Sequence, residues 1–428
     1  MNSWQHKKRF YTDYLIVILS LFTVSPFINT VTNKYLLVLL VFTLFVSVNR
    51  KKRLFIRENL LVVVAFYVLL IIQSFLYNGF AYAMLYVPLI TFYLPYLILQ
   101  LVGISFFRYL VNVIYVIAIY TTPLWLLQSF VPAIDSLFRL AADFVLPYSF
   151  GSVPRSLLIY TAAWSDEIYN SSLGVFRNSG AFHEPGAYGV FLNLAIIINT
   201  FFTGTIFNRK NLVFMFCILT TLSTAGFITL FVILFFYLMK MKINWGIKVV
   251  AIVVFVFSSL IVYENQEFLQ KKIQTQLEDQ TYYAKNKLGR YDPHSGRFYA
   301  FFTSYELFKE HPFFGRGIMY ATSEKASGEM HEGGSYTYGF MGILSNYGIF
   351  FGLFYMFNLY RGIKLLGSIT KQQKVFIIGC FIALNLALLT QVFITTLVVF
   401  ILFTLGSNYK FSTHLINYFN HARLAKQG

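Results

Sequence analysis

The stretch "FRNSGAFHEPGAYGVFLNLAIIIN", residues 176–199, sets Arg177, His183 and Glu184 immediately before an apolar run. Charges at the edge of hydrocarbon are costly and mark function. An arginine presents a planar fork suited to phosphate, and a histidine or carboxylate can move a proton. Pro185 fits the first turn of a helix, so Glu184 also reads as an N-terminal acid favoured by the helix dipole. Arg297 in "SGRF" falls in the first turn of a predicted helix, whose N–H groups favour an anion. Arg316 in "FGRG" lies between glycines that let a ligand approach the backbone. Arg177, Arg297 and Arg316 converging would make a pyrophosphate site. The plainer reading pairs each with an acid or a lipid headgroup. His183, Glu184 and His331 are the residues placed for proton transfer. His331, in "EMHEGGSY", also reads as a solvated loop histidine, and His294 and His311 read as turn residues. Zinc-type spacings are absent, so no metal is expected, and no cofactor is called for.

The elements that carry these residues are membrane helices. The 428 residues are 57% hydrophobic and 12% charged, with mean hydropathy +0.63, against about 25% charged in a soluble domain. Apolar runs of membrane-spanning length recur along the chain. Helices are expected at Tyr14–Phe27, Tyr35–Val48, Leu60–Leu76, Tyr82–Leu101, Tyr109–Phe130, Gly186–Phe202, Leu212–Ser223, Gly226–Met239, Gly246–Tyr263, Tyr338–Leu359, Val375–Leu389 and Val392–Leu405. The first follows "HKKRF" without a small-residue cleavage site and reads as a retained helix. Cys217 and Cys380 fall inside apolar runs and read as packing residues. The class is all-α: a polytopic integral membrane helix bundle of about twelve transmembrane helices, residues 1–428 forming one domain.

Charge sets the topology. With the N-terminus inside, the inner loops carry 21 Lys/Arg against two acids, Asp13 and Glu58, and the outer segments 13 against 15 acids. This is a positive-inside pattern, so the +17 net charge needs no nucleic-acid partner. It places "NRKN" and "KMK" on one side, so the segment between them crosses twice or re-enters, with "STAG" as the break. Two long external segments follow, about 131–179 and 264–337, carrying interfacial helices; loops of that length are usually functional. In the second, "EFLQKKIQTQLEDQ" has Leu269, Ile273 and Leu277 at helical spacing. "SGRFYAFFTSYELFKEHPFFGRG" puts Phe298, Phe301, Phe302, Tyr305 and Phe308 on one face, with Ser295 as N-cap and His311-Pro312 as the stop.

In this order and spacing the motifs resemble those of bacterial O-antigen polymerases and O-antigen ligases. The family's R-x-x-G-x-F followed by proline and a membrane helix matches Arg177, Gly180, Phe182 and Pro185. Its short helix pair matches "LTTLSTAGF". Its S-G-R, amphipathic stretch and H/N-P-h-x-G-x-G match Ser295–Arg297 and His311–Gly317, and its glycine-rich helix start matches "NYGIFFG", Asn346–Gly352. Ligases carry a histidine eleven residues before the glycine matched by Gly348. Here Thr337 holds that place and His331 lies six residues earlier, which tilts the resemblance toward polymerase.

The resemblance implies a glycosyltransferase in the bacterial inner membrane with its active site facing the periplasm or cell exterior. It implies a polyprenyl-pyrophosphate-linked oligosaccharide as donor, membrane lipids as surroundings and a chain-length-regulating membrane protein as a partner. A growing glycan leaves its lipid pyrophosphate and joins a hydroxyl of the next lipid-linked repeat unit. The alternatives are a ligase moving glycan onto a lipid core and a lipid-linked oligosaccharide flippase. A flippase would place charges along a central path within the bundle, whereas arginine and histidine here gather outside it. A structural scaffold gives no reason for the arginines.

Overall fold

A computed structural model describes residues 3–23, 32–77, 83–145, 157, 160–161, 169–170, 174–250, 253, 297–317, 339–389 and 396–408. The described chain is almost wholly helical. In order the helices are α1 (Ser3–Phe22), α2 (Thr32–Asn49), α3 (Arg57–Leu76), α4 (Ala83–Pro88), α5 (Leu94–Val102), α6 (Ser105–Phe130), α7 (Pro132–Val145), α8 (Pro185–Thr203), α9 (Arg209–Thr221), α10 (Thr224–Lys240), α11 (Arg297–Glu310), α12 (Gly339–Ser368), α13 (Lys374–Leu389) and α14 (Leu397–Ser407). A two-residue hairpin pairs Tyr169 with Phe176 and Asn170 with Val175.

Five stretches are long and apolar enough to cross a membrane: Arg57–Leu76, Met84–Val102, Ser105–Phe130, Pro185–Thr203 and Gly339–Ser368. Four shorter apolar helices accompany them, α10, α13, α14 and Lys34–Asn49 within α2. The described residues therefore form a membrane helix bundle, but they do not reach the expected count of about twelve spans. The helix expected over Gly246–Tyr263 lies largely outside the described residues. So do the Leu269–Leu277 helix, the Ser295 cap, His294 and His331.

The expected single helix Tyr82–Leu101 is interrupted by a π-helical turn over Leu89–Tyr93, where the Leu94 N–H donates to Leu89 O. Pro88 and Pro95 flank the turn; neither has an N–H to continue an α-helical ladder. α7 lies in the first external segment, which was expected to carry an interfacial helix at no stated position. Its apolar residues Leu137 and Leu140 are exposed.

The basic loops meet on one face. Arg50 Nη1 lies 2.6 Å from Asp13 Oδ1. Lys210 Nζ donates to Asn112 Oδ1, and Asn112 Nδ2 to the Tyr14 hydroxyl. Lys240 Nζ reaches Gly204 O at 3.3 Å and also bonds Gln372. Thr370 Oγ1 donates to Phe201 O at 2.9 Å. The start of α9 and the end of α10 thus share a face, as charge required, and α9–α10 is a helical hairpin. Its first arm has 13 residues and rises about 20 Å, short of the roughly 30 Å hydrocarbon thickness. The tip is recessed within the bundle.

Close helix contacts rest on small residues. A Cβ on Gly406 would lie 1.8 Å from Asn358 O, so α14 and α12 meet nearly backbone to backbone. α8 is buried along its whole length, from Pro185 to Phe201. It packs on α6, α9, α10, α12 and α13 and forms the axis of the bundle.

Candidate active site

Two breaks in the helical run, one between α9 and α10 and one inside α12, each receive an arginine-bearing segment. The first interruption is the tip of the α9–α10 hairpin. Leu222 has φ +45 and ψ +38, a left-handed residue that ends α9. Ser223 then caps α10, its side chain accepting from Gly226 N, as serine does at N-cap positions. The "RNSG" segment stitches to this tip. Asn178 N donates to Thr220 O at 3.0 Å and Asn178 Nδ2 to Thr220 Oγ1 at 2.9 Å. Asn178 Oδ1 accepts from Gly180 N at 2.9 Å, the local turn that asparagine favours. Arg177 Nε donates to Thr221 O at 3.3 Å, and the residue is 9% exposed. Trp125 Nε1 holds the preceding hairpin through Phe176 O at 2.6 Å.

α8 and α10 run side by side from this point, both starting here. A Cβ on Gly189 would stand 3.4 Å from Gly226 Cα, and Asn193 Nδ2 donates to Gly226 O at 3.1 Å. Two helix N-termini therefore lie together at this tip, where α9 also ends; the guanidinium donates to α9's terminal carbonyl at Thr221, and that helix's dipole offsets part of the positive potential of the other two. Glu184 is the N-cap of α8 by backbone, yet its carboxylate makes no capping bond to that helix. His183 and Glu184 are half-buried. Beside them, Leu21, Phe22, Ile117, Ala181 and Phe182 line an apolar crevice.

The second interruption is inside α12. The glycine-rich stretch was expected to start a helix; instead Gly348, at φ +78 and ψ +177, breaks one. The loop 311–317 fills the break. Arg316 N donates to Ser345 O at 2.8 Å, Gly317 N to Asn346 O at 3.1 Å, and Ile349 N to Pro312 O at 2.8 Å. Backbone groups freed by an interrupted membrane helix must find such partners. Arg316 is 4% exposed, with Nε 3.4 Å from Asn346 Oδ1. Gly315 at φ +69 lies so close to Asn346 that a Cβ would fall 2.3 Å from its carbonyl carbon.

α11 starts at Arg297 and ends at Glu310, and His311 lies in the turn that follows, as expected. It packs on α12. Among its described side chains Ser304 and Leu307 are buried and Tyr305 is 43% exposed. Sequence reasoning also missed Gln73 and Tyr77 of α3, which bond to the Arg316 loop. A lone glutamine in an otherwise apolar run was the available signal. Burial pushes the Tyr77 hydroxyl up from its ordinary value, and its O–H donates to Gly315 O.

A membrane helix bundle with two arginines buried at helix interruptions is the class that fold and site define. Residues 211–357, which span the α9–α10 hairpin, α11, the Arg316 loop and the break at Gly348, match the family model described as O-Antigen ligase. The match covers 147 of the 428 residues, so it is a likeness of that segment to the O-antigen ligase family. No curated protein matches the chain. Arg177 and Gln73 lie outside the matched residues.

Proposed function

We propose that this protein is a polysaccharide polymerase of the O-antigen type. It joins polyprenyl-pyrophosphate-linked oligosaccharide repeat units at the outer face of the bacterial inner membrane. The observation that carries the reading is the pair of buried arginines at interrupted helices, one beside the paired N-termini of α8 and α10. A departing pyrophosphate is dianionic or more, and charge-assisted donors fixed before reaction stabilise it best. Arg177, Arg316 and Arg297 hold the pyrophosphate. His331 withdraws the proton from the acceptor hydroxyl, and Glu184, with His183 beside it, orients the acceptor at the mouth of α8. The glycosidic bond to the pyrophosphate breaks as the acceptor oxygen bonds the sugar carbon, and the proton passes to the base.

The test is incubation of the purified protein with lipid-linked repeat units. A ladder of glycan products supports the polymerase. Single transfer onto a lipid core supports the ligase, which Thr337 at the ligase histidine's position disfavours. Absence of product from either acceptor rejects both.

A further inference from the structure

The Arg316 loop is held from outside the matched segment by Gln73 and Tyr77. Gln73 of α3 is 1% exposed, and its Nε2 donates to Phe314 O at 2.5 Å and to Asn346 O at 2.8 Å. The first carbonyl belongs to the loop and the second to the break in α12. One amide therefore staples the two segments whose pairing sets Arg316. One turn on, the Tyr77 hydroxyl donates to Gly315 O at 2.7 Å, and its ring meets His311 edge-on at 4.9 Å. Gly317, at φ +82, takes the left-handed backbone that favours glycine as the loop leaves the break.

The chemistry of the staple is specific. Two carbonyl oxygens facing one side chain require a group with two donors. An amide supplies them; a carboxylate of the same shape would set lone pairs against lone pairs. With Nε2 so engaged, Gln73 Oε1 is buried and meets no donor among the described residues. A polar residue left incompletely satisfied inside an apolar helix is expensive, and lipid packing gives no reason for one. Its gain is the fixed register of the Arg316 backbone, whose N–H donates to Ser345 O.

We infer that Gln73, assisted by Tyr77, is a positioning residue that fixes Arg316 against the α12 break for the reaction at the pyrophosphate. The inference rests on the proposed reading of Arg316 as a pyrophosphate ligand. The tests are therefore chosen to separate the two. Misplacing a catalytic contact by about 1 Å costs on the order of 100-fold.

Full-length Gln73→Glu and Gln73→Leu are compared with the parent in detergent by hydrogen–deuterium exchange. Faster exchange confined to the peptide over 311–317, with α8 peptides unchanged, is the expected result. Unchanged exchange over 311–317 in both variants overturns the inference. Tyr77→Phe removes one bond without changing packing and is expected to give a smaller local effect, which covers failure of the Gln73 variants to fold. Turnover of lipid-linked repeat units then supplies a double-mutant cycle. If Gln73 acts through Arg316, the Gln73→Leu/Arg316→Ala double variant loses no more than Arg316→Ala alone, and Gln73→Leu lowers kcat by about tenfold or more with little change in KM. Additive losses make Gln73 merely structural and overturn the inference. Local release over 311–317 with parent-level turnover, and with Arg316→Ala likewise at parent level, overturns the reading of Arg316 and leaves the staple itself standing.

Discussion

At the scale of single residues, the arginines were the most readable feature. Their type, their glycine neighbours and their place beside apolar runs were visible in the sequence, and Arg177 and Arg316 are buried at helix interruptions. What sequence could not give was their partners. Thr221 O and Asn346 Oδ1 are identified only by the folded chain, and Gln73 reaches a loop more than two hundred residues away. Losing a charge-assisted contact to phosphate costs about 1.5–3 kcal/mol, roughly 10- to 150-fold. Arg177→Ala and Arg316→Ala are each expected to lower glycan ladder formation by that factor, and Arg→Lys to restore part of it, since an ammonium keeps charge but loses the fork. Parent-level rates for both alanine variants would remove pyrophosphate binding from their roles. The base is tested by turnover across pH in Glu184→Gln and His331→Ala. His331→Ala is expected to lose rate while still binding lipid-linked substrate, and Glu184→Gln to weaken acceptor use. Normal rates in both would leave the site to act by electrostatics and orientation alone.

At the scale of elements, hydropathy found most of the described helices, because a bilayer demands long apolar runs, but α1 begins at Ser3 and not Tyr14, α12 runs on to Ser368 and not Leu359, and α7 was not located. The break at "STAG" was also readable: loop charge forced the α9–α10 segment to turn back, and Ser223 is a good cap. The break in α12 was not. Gly348 sits in an apolar run that looks continuous, and only the inserted 311–317 loop makes the interruption affordable. The two glycines Gly103 and Gly348 make a paired test. Both have positive φ, +67 and +78, but a Cβ on Gly103 would meet nothing within 4 Å, while on Gly348 it would lie 2.0 Å from Phe313 O. Gly103→Ala therefore pays only backbone strain, about 1–3 kcal/mol. Gly348→Ala must also displace the loop that carries Arg316. Thermal melts in detergent are expected to drop modestly for the first and further for the second, and only the second is expected to lose turnover. Equal melts and equal rates would mean that the loop does not seat in the break as described.

At the scale of the whole molecule, the charge count and the folded chain agree on one point reached independently. The segments assigned to the inner side by lysine and arginine content are the ones that meet on one face, through Arg50–Asp13, Lys210–Asn112 and Lys240–Gly204. Composition gave the class and this face; it gave no access to the recessed hairpin tip, which depends on how α8, α9 and α10 pack. The arrangement has a consequence for where the reaction happens. The Arg177 segment, the Arg316 loop and Tyr77 lie toward the helix ends opposite the basic face, and the proposed reaction would take its substrate from that side. Phe313, 60% exposed, and Lys242, also exposed, sit on the two faces. In a cysteine-free parent made with Cys217 and Cys380 replaced, Phe313→Cys is expected to react in intact cells with a maleimide that cannot cross the membrane. Lys242→Cys is expected to react only after the membrane is opened. Labelling in the reverse order would turn the bundle over and place both arginines on the cytoplasmic side. The chain would then be working where sugars are assembled on their lipid carriers, and the polymerase reading would fail with the topology.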